Sequence, residues 1–489
     1  MKITFITAEK TPIAKVGGLA DVITGLSREM TSRNHDLEIV LPRYSHLDTT
    51  HIDGLSIYRN ELLVPWFSGF ISCQIWKGTV WGQPCYLIDS NKALDYFTRG
   101  VTYGESDDDL RFAFFSKASL EFIHQSGKKP DILHCHDWQT SLVPVLLYEL
   151  YQQKGLDKTR VCLTIHNFKH QGITNESVLV GTGLNRPDYF FSSDRLLDNY
   201  NPHVLNLLKG GMVYSNFMTT VSPKHAWEAK EGDQGFGLRP TLHLYHMKYG
   251  GVLNGLDYEY WNPNKDPLIP YNYAAVSVGR KSENKEYLQQ KFALSRTRQP
   301  LLAFIGRLDP QKGLDLIQYA IPRILELGGQ FILLGNSHDP AINREFEQLK
   351  QRLAGNQNVH LELDFNEEFA HFIYAGSDFM LVPSQFEPCG LTQLIALRYG
   401  SVPIVRSVGG LADTIFDVAD TRQEFHSRNG FCFETYSEKE LDKTLIRAIN
   451  YYNDQPDSFL KLRRNGMEQD FSWKEPAQHY LNIYNYIRA

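Results

Sequence analysis

The sequence predicts an α/β protein of two doubly wound, Rossmann-like lobes that face a deep cleft, and three observations carry the prediction. The chain has 489 residues, more than one hydrophobic core usually serves. Short apolar, β-branched runs alternate with helix-like segments in two series, the pattern of parallel sheets covered by helices on both faces. Between the series lies Trp261-Asn262-Pro263-Asn264-Lys265-Asp266-Pro267, with Pro270 close behind, a polar proline-rich stretch that reads as a connection between lobes. The expected lobes are 1–256 and 257–473, followed by a terminal helix over 474–489.

The first series opens with the run Ile3 to Ala8, then Lys15-Val16-Gly17-Gly18-Leu19-Ala20-Asp21. This reads as strand, glycine turn, helix. Adjacent glycines let the backbone approach a ligand closely and leave the first helical N–H groups pointing outward, which suits a diphosphate; an ordinary structural turn is the alternative. Leu37 to Leu41 is the next strand. Asp107-Asp108-Asp109 precedes the helix-like Arg111-Phe112-Ala113-Phe114-Phe115, where acids complement a helix dipole, although the triplet also resembles that of metal-dependent sugar transferases. Ile132 to His136, Val161 to Ile165 and Met218 to Val221 complete the lobe.

The second series runs through Leu301 to Ile305, Phe331 to Leu334, Val359 to Leu363, Phe379 to Val382 and Val402 to Val405. The pentapeptide Gly-Gly-Leu-Ala-Asp occurs at Gly17 to Asp21 and again at Gly409 to Asp413, each time after a strand. Ligands of open α/β sheets bind beyond the carboxyl ends of the strands, so both copies can face a shared cleft, with a reused turn as the alternative. The second reads equally well as a reused turn. Near the end, Tyr480, Ile483, Tyr484 and Ile487 fall at helical spacing and are assigned to packing.

Four strand ends carry residues fit for chemistry. After Phe304-Ile305-Gly306 come Arg307 and Lys312: an arginine fork binds a phosphate bidentately and a lysine adds a mobile charge, so the pair is read as a phosphate site rather than as solvated charges. Glu387-Pro388-Cys389-Gly390-Leu391-Thr392-Gln393 follows another strand; its carboxylate can accept hydrogen bonds from sugar hydroxyls, and the Leu391 and Thr392 amides can meet a phosphate. Cys389 has no histidine base nearby in sequence and reads as a packed thiol, though a helix N-terminus favours a thiolate. His134-Cys135-His136-Asp137-Trp138 and Thr164-Ile165-His166-Asn167 end successive strands and read as the lining of a sugar pocket; a metal site is the alternative, but a third ligand at recognisable spacing is missing.

Composition narrows the partners. A net charge of −6 gives no general reason to expect nucleic acid, and an uncharged polymer suits such a surface. The six cysteines show no paired metal-type spacing and favour a reducing compartment. No apolar stretch approaches membrane-spanning length and Met1 leads directly into the first strand, so a cytoplasmic protein without a signal peptide or membrane partner is expected.

With these motifs in view, and with Thr220-Val221-Ser222-Pro223 and Asn254-Gly255-Leu256-Asp257 added, the chain resembles the bacterial glycogen synthase and plant starch synthase family nearly end to end. That family consists of retaining glucosyltransferases of the two-lobed GT-B type. His166-Asn167-Phe168 with Gln171-Gly172, Ile395 to Ser401, and Asp470-Phe471-Ser472-Trp473 look most like the branch with starch synthases of classes three and four. The long N-terminal extension of those plant enzymes is lacking, which points to a bacterial member.

The resemblance implies ADP-glucose as donor, the non-reducing end of an α-1,4-glucan or malto-oligosaccharide as acceptor, and no metal or cofactor. It gives Lys15, Arg307 and Lys312 the departing diphosphate. His166 and Asp137 then contact the glucosyl unit, Glu387 binds sugar hydroxyls and Asn254 lies near the same sugar. Gly17, Gly18, Cys389, Gly390, Leu391 and Thr392 complete the donor side, and Asp21 falls on the acceptor side. The resemblance also places the terminal helix back on the first lobe and has the lobes close on their ligands. Two positions depart from wider GT-B patterns: Ile395 stands where many relatives carry a ribose-binding glutamate, as in glycogen and starch synthases generally, and Phe365 stands where some synthases set a tyrosine against adenine. A phenylalanine stacks but donates no hydrogen bond. A glucan phosphorylase and a non-catalytic glucan-binding relative are the competing readings; the first needs a pyridoxal-binding lysine segment, which is not found.

Overall fold

A computed structural model of the chain describes residues 1–364 and 366–489, and these divide into two units, Met1–Gly255 with Trp473–Ala489, and Leu256–Ser472. In the first unit the strands are β1 (Lys2–Ile6), β2 (Asp36–Pro42), β3 (Asp53–Trp66), β4 (Gly69–Val80), β5 (Gln83–Asp89), β6 (Ile132–His136), β7 (Arg160–Ile165), the short β8 (Ile173–Thr174) and β9 (Leu205–Asn206), β10 (Phe217–Thr220) and β11 (Tyr249–Gly251). Among the described residues nine of them form one sheet in the order β11-β10-β7-β6-β1-β2-β5-β4-β3. β1 runs parallel to both β2 and β6. Ile3, Phe5 and Ile6 are wholly buried, which explains why such central strands read as unbroken apolar runs.

The expectation of an all-parallel sheet fails at one edge. β3 pairs antiparallel with β4, and β4 antiparallel with β5. β3 is exposed at most positions and its register with β4 shifts three times. A search for buried β-branched runs misses a half-solvated ribbon of this kind.

The terminal helix Lys474–Arg488 belongs to the first unit. Tyr480 and Tyr484 are completely buried in its core. On the helix Gly18–Ser32, a Cβ placed on Gly25 would fall 1.9 Å from the Trp473 indole nitrogen, so glycine is what lets the indole reach the backbone. Arg33 donates to the Lys474 carbonyl and to Gln478.

The second unit holds β12 (Leu301–Ile305), β13 (Gln330–Leu334), β14 (Val359–Glu362), β15 (Phe379–Val382), β16 (Val402–Arg406) and β17 (Phe431–Phe433), ordered β14-β13-β12-β15-β16-β17. Every pairing is parallel. The strand order reverses between β12 and β15, which is where an open α/β sheet leaves a ligand crevice. Alternate residues of β12 feed two cores: Leu301, Ala303 and Ile305 one, Leu302 and Phe304 the other.

The proline-rich stretch 261–270 is not a connection between the units but part of the second. Asp266 is buried and accepts hydrogen bonds from His371 Nδ1 at 2.7 Å and from the Tyr399 hydroxyl at 2.6 Å. Trp261 stacks on His371 with ring centroids 4.4 Å apart. The chain enters and leaves this unit side by side, for the Leu256 N–H donates to the Phe471 carbonyl at 2.7 Å. No helix among the described residues is long and apolar enough to cross a membrane.

Candidate active site

In the first unit the candidate residues gather at the carboxyl ends of β1, β6 and β7. The turn after β1 differs from expectation in one respect. The N–H groups of Val16 and Gly17 are not left open; both donate to Glu9 Oε2, at 2.7 and 2.8 Å. The Tyr103 hydroxyl donates to Glu9 Oε1 at 2.8 Å. Burial pushes the Glu9 carboxyl above the usual range, against these hydrogen bonds. Glu9 thus holds the turn in shape and leaves an anion only the amides from Gly18 onward. Lys15 pairs with Asp21 at 3.1 Å, and Thr11 also donates to Asp21. A Cβ on Gly17 would meet nothing within 4 Å, so packing does not demand this glycine.

β6 and β7 are stitched together at their ends. Asp137 takes a left-handed backbone conformation, φ 57°, which turns its carboxylate onto the next strand end. There it accepts the His166 N–H at 2.6 Å and the Asn167 N–H at 3.4 Å. Burial raises the Asp137 carboxyl to about 7 although both amides pull it down. Burial lowers the His166 imidazole to about 3. His136 Nδ1 lies 3.2 Å from His166 Nε2.

The two histidines of the His-x-His pair share a face of β6, with centroids 4.1 Å apart. Both nitrogens of His134 are engaged, by Thr164 and by Tyr484 of the terminal helix, each at 2.7 Å. The acidic triplet is likewise spoken for: Asp107 pairs with Arg99, Asp108 with Arg111, and Asp109 accepts from Thr174. Asn254 is 5% exposed and its Oδ1 has no partner among the described residues, an acceptor left for a ligand.

In the second unit the reversal between β12 and β15 is flanked by Lys312 and Glu387. Lys312 Nζ donates to Glu387 Oε2 at 2.6 Å, and Ser384 donates to the same oxygen at 2.9 Å. Gly313, at φ 74°, lets the loop after β12 lie on the loop after β15: a Cβ there would sit 2.3 Å from the Pro383 carbonyl oxygen. Arg307 is exposed and its guanidinium has no partner among the described residues.

Behind Glu387 the chain packs tightly. Cys389 is buried, its carbonyl accepting from the Gln393 amide at 3.0 Å; Gly390 turns at φ 75°, and Leu391 leads into the helix Thr392–Arg398. The second Gly-Gly serves this turn. A Cβ on Gly409 would lie 1.9 Å from the Glu387 carbonyl oxygen, and one on Gly410 2.2 Å from that of Cys389. Phe365, assigned to the adenine, lies outside the described residues.

Sequence reading missed Glu9, Tyr103, Ser384 and the contact of His136 with His166. Only Glu9 left a local signal, an acid in the same strand-end loop as the turn whose amides it binds.

Two family models match: "Starch synthase catalytic domain" over residues 2–244 and "Glycosyl transferases group 1" over 286–465. Glycogen synthase 2 of Methylococcus capsulatus is 53% identical over 483 residues, 99% of each chain. Probable glycogen synthase 2 of Synechocystis sp. is 51% identical over the full length of both. Among solved structures, the catalytic domain of starch synthase IV from Arabidopsis thaliana, bound to ADP and acarbose, matches at a TM-score of 0.96 and 42% identity, covering all of this chain and 99% of that one. A sucrose-phosphate synthase from Thermosynechococcus elongatus shares the fold, with a TM-score of 0.60 at 15% identity.

Proposed function

The chain belongs to the glycogen and starch synthase family of glycosyltransferases, and from that premise we propose that it lengthens an α-1,4-glucan at the non-reducing end with glucose from ADP-glucose, retaining the anomeric configuration. One observation in the second unit supports the reading most: a cation and a buried carboxylate, Lys312 and Glu387, flank the point where the strand order reverses, with the exposed guanidinium of Arg307 on the same loop as Lys312. Cations there stabilise the charge that grows on a departing diphosphate, and a carboxylate accepts from sugar hydroxyls. Lys15 is the matching cation of the first unit. His166 and Asp137 meet the glucosyl unit, and the Asn254 oxygen, without a partner among the described residues, accepts from the same sugar. A retaining hydrolase needs two facing carboxyl groups about 5 Å apart; this reading relies on side-chain cations aiding the leaving group and calls on no metal.

The test is a panel of nucleotide-glucose donors with a malto-oligosaccharide acceptor, followed by product stereochemistry. ADP-glucose should give the longest chains, with new α linkages, and a chelator should leave the rate unchanged. Arg307→Ala and Lys312→Ala should each lower kcat by at least about 100-fold, since each 1.4 kcal/mol lost from the transition state costs about tenfold. Near-normal turnover in both variants would remove the diphosphate assignment; release of free glucose 1-phosphate from glucan and phosphate would indicate a phosphorylase.

A further inference from the structure

His136 is the member of the His134-Cys135-His136-Asp137 run that has no task in the reading above. Its ring is completely buried, and its one polar contact among the described residues is Nδ1 to His166 Nε2 at 3.2 Å. Nε2 has no partner among the described residues. The ring is held firmly in place. The His136 N–H donates to the Thr140 hydroxyl and its carbonyl accepts from that same hydroxyl, at 2.7 and 2.8 Å, while His134 lies alongside and Phe5 meets the ring edge-on at 5.5 Å.

Burial keeps both imidazoles neutral. Two neutral imidazoles share one hydrogen only as complementary tautomers, an N–H facing a lone pair. If the hydrogen sat on His166 Nε2, His136 would accept it at Nδ1 and would bury an Nε2–H with no acceptor. In the opposite arrangement the unpaired group at His136 Nε2 is a lone pair. Orphaned buried N–H groups are the rarer of the two. We infer that His136 is a positioning residue: it donates from Nδ1 to His166 Nε2 and fixes His166 in the tautomer that carries its hydrogen on Nδ1.

The consequence is chemical. His166 then offers the substrate an N–H donor and no basic nitrogen, so it binds an oxygen of the glucosyl unit or of the leaving group and does not take a proton from the acceptor hydroxyl. The inference rests on the proposed role of His166 at the sugar.

Long-range ¹H–¹⁵N spectra of the full-length enzyme, labelled on histidine and assigned with His166→Ala, read the tautomer without reference to activity. An Nδ1–H pattern for His166 is expected; an Nε2–H pattern or an averaged one overturns the inference. Two variants test the consequence. His136→Leu should lower kcat at least tenfold with KM for ADP-glucose changed far less, and should leave His166 as a mixture of tautomers. His136→Asn, whose amide nitrogen can stand where Nδ1 stands, should recover most of the rate. Equal losses in both, or a loss in neither, count against the inference. If His136→Leu does not fold, the wild-type spectrum decides. Absence of transfer in the wild type would instead defeat the proposed function, while the tautomer result would stand.

Discussion

Asp137 sits between opposing forces: burial favours its neutral form, and the two amides beyond β7 favour its anion. Burial wins, raising the carboxyl from its usual 3.8 to about 7. The sign of the pH effect follows. A folded pKa above the unfolded one means the native state holds the proton more tightly, so this group's contribution to stability is complete below pH 4 and is lost as pH rises through 7. Asp137→Asn has no proton to lose, keeps an oxygen for the His166 N–H, and tolerates the left-handed backbone. The variant should therefore match the native chain in urea unfolding near pH 4 and exceed it at pH 8. At about 1.4 kcal/mol per unit the ceiling is roughly 4 kcal/mol, and residual hydration of a half-buried carboxylate brings the expected gain to about 1–2 kcal/mol. A gain of equal size at both pH values would mean that burial does not hold the proton. The strand-end placement of Asp137, His166, Arg307, Lys312 and Glu387 was legible in the sequence, because each lies directly after a recognisable strand or in the loop that follows one. Their partners were not: His136 meets His166 across thirty residues and Lys312 meets Glu387 across seventy-five, separations that only the sheet order closes.

The same pentapeptide serves two strand-to-helix turns for opposite reasons. At Gly17 the backbone is extended and a Cβ meets nothing, so the free protein does not require glycine there. At Gly409 the backbone is left-handed, φ 48°, and a Cβ would strike the Glu387 carbonyl oxygen. Gly17→Ala should keep its thermal midpoint yet, on the proposed assignment of this turn to the donor, raise KM for ADP-glucose several-fold, because a Cβ there projects into open space. Gly409→Ala should lower stability by about 2 kcal/mol or more, the cost of a strained backbone plus a displaced loop, and should lower kcat by moving Glu387. Thermal unfolding and donor kinetics on both variants separate the cases; a stability loss at Gly17 equal to that at Gly409 would refute the contrast. The repeat itself was visible from sequence, but the difference was not, since it depends on what lies beyond each turn. The edge ribbon β3 to β5 escaped for a related reason. β3 and β4 keep much of their surface wet and interrupt their mutual register, so they lack the apolar density that marked β1, β6 and β12.

At the scale of the whole molecule the chain order and the units disagree, and folding should expose this. The second unit is continuous, with Leu256 and Ser472 bridged to each other and both faces of its sheet filled from within. The first is not, because its core takes Trp473, Tyr480 and Tyr484 from the far end of the sequence. The boundary near residue 257 was placed beside the proline-rich stretch, and the return of the terminal helix followed from the family resemblance; the strand series by itself gives neither. The proline stretch was misread because its polar residues find partners more than a hundred positions away. Residues 256–472 expressed alone should unfold cooperatively, and should bind ADP if the donor assignments are right. Residues 1–255 alone should not reach the native state: losing a buried aromatic costs about 3–5 kcal/mol, three such losses approach or exceed the 5–15 kcal/mol by which domains are stable, and His134 and Arg33 lose partners besides. The remedy is set by the ends of the chain. Lys2 N–H donates to one oxygen of Asp131 at 2.7 Å and Arg488 reaches the other at 3.2 Å, so the two termini meet on one carboxylate. A permuted unit, 473–489 joined through a short flexible linker to 1–255, should therefore recover a cooperative melt and near-UV signal that 1–255 lacks. Cooperative unfolding of 1–255 by itself would show that the returning helix is an accessory to the first unit and not part of what holds it together.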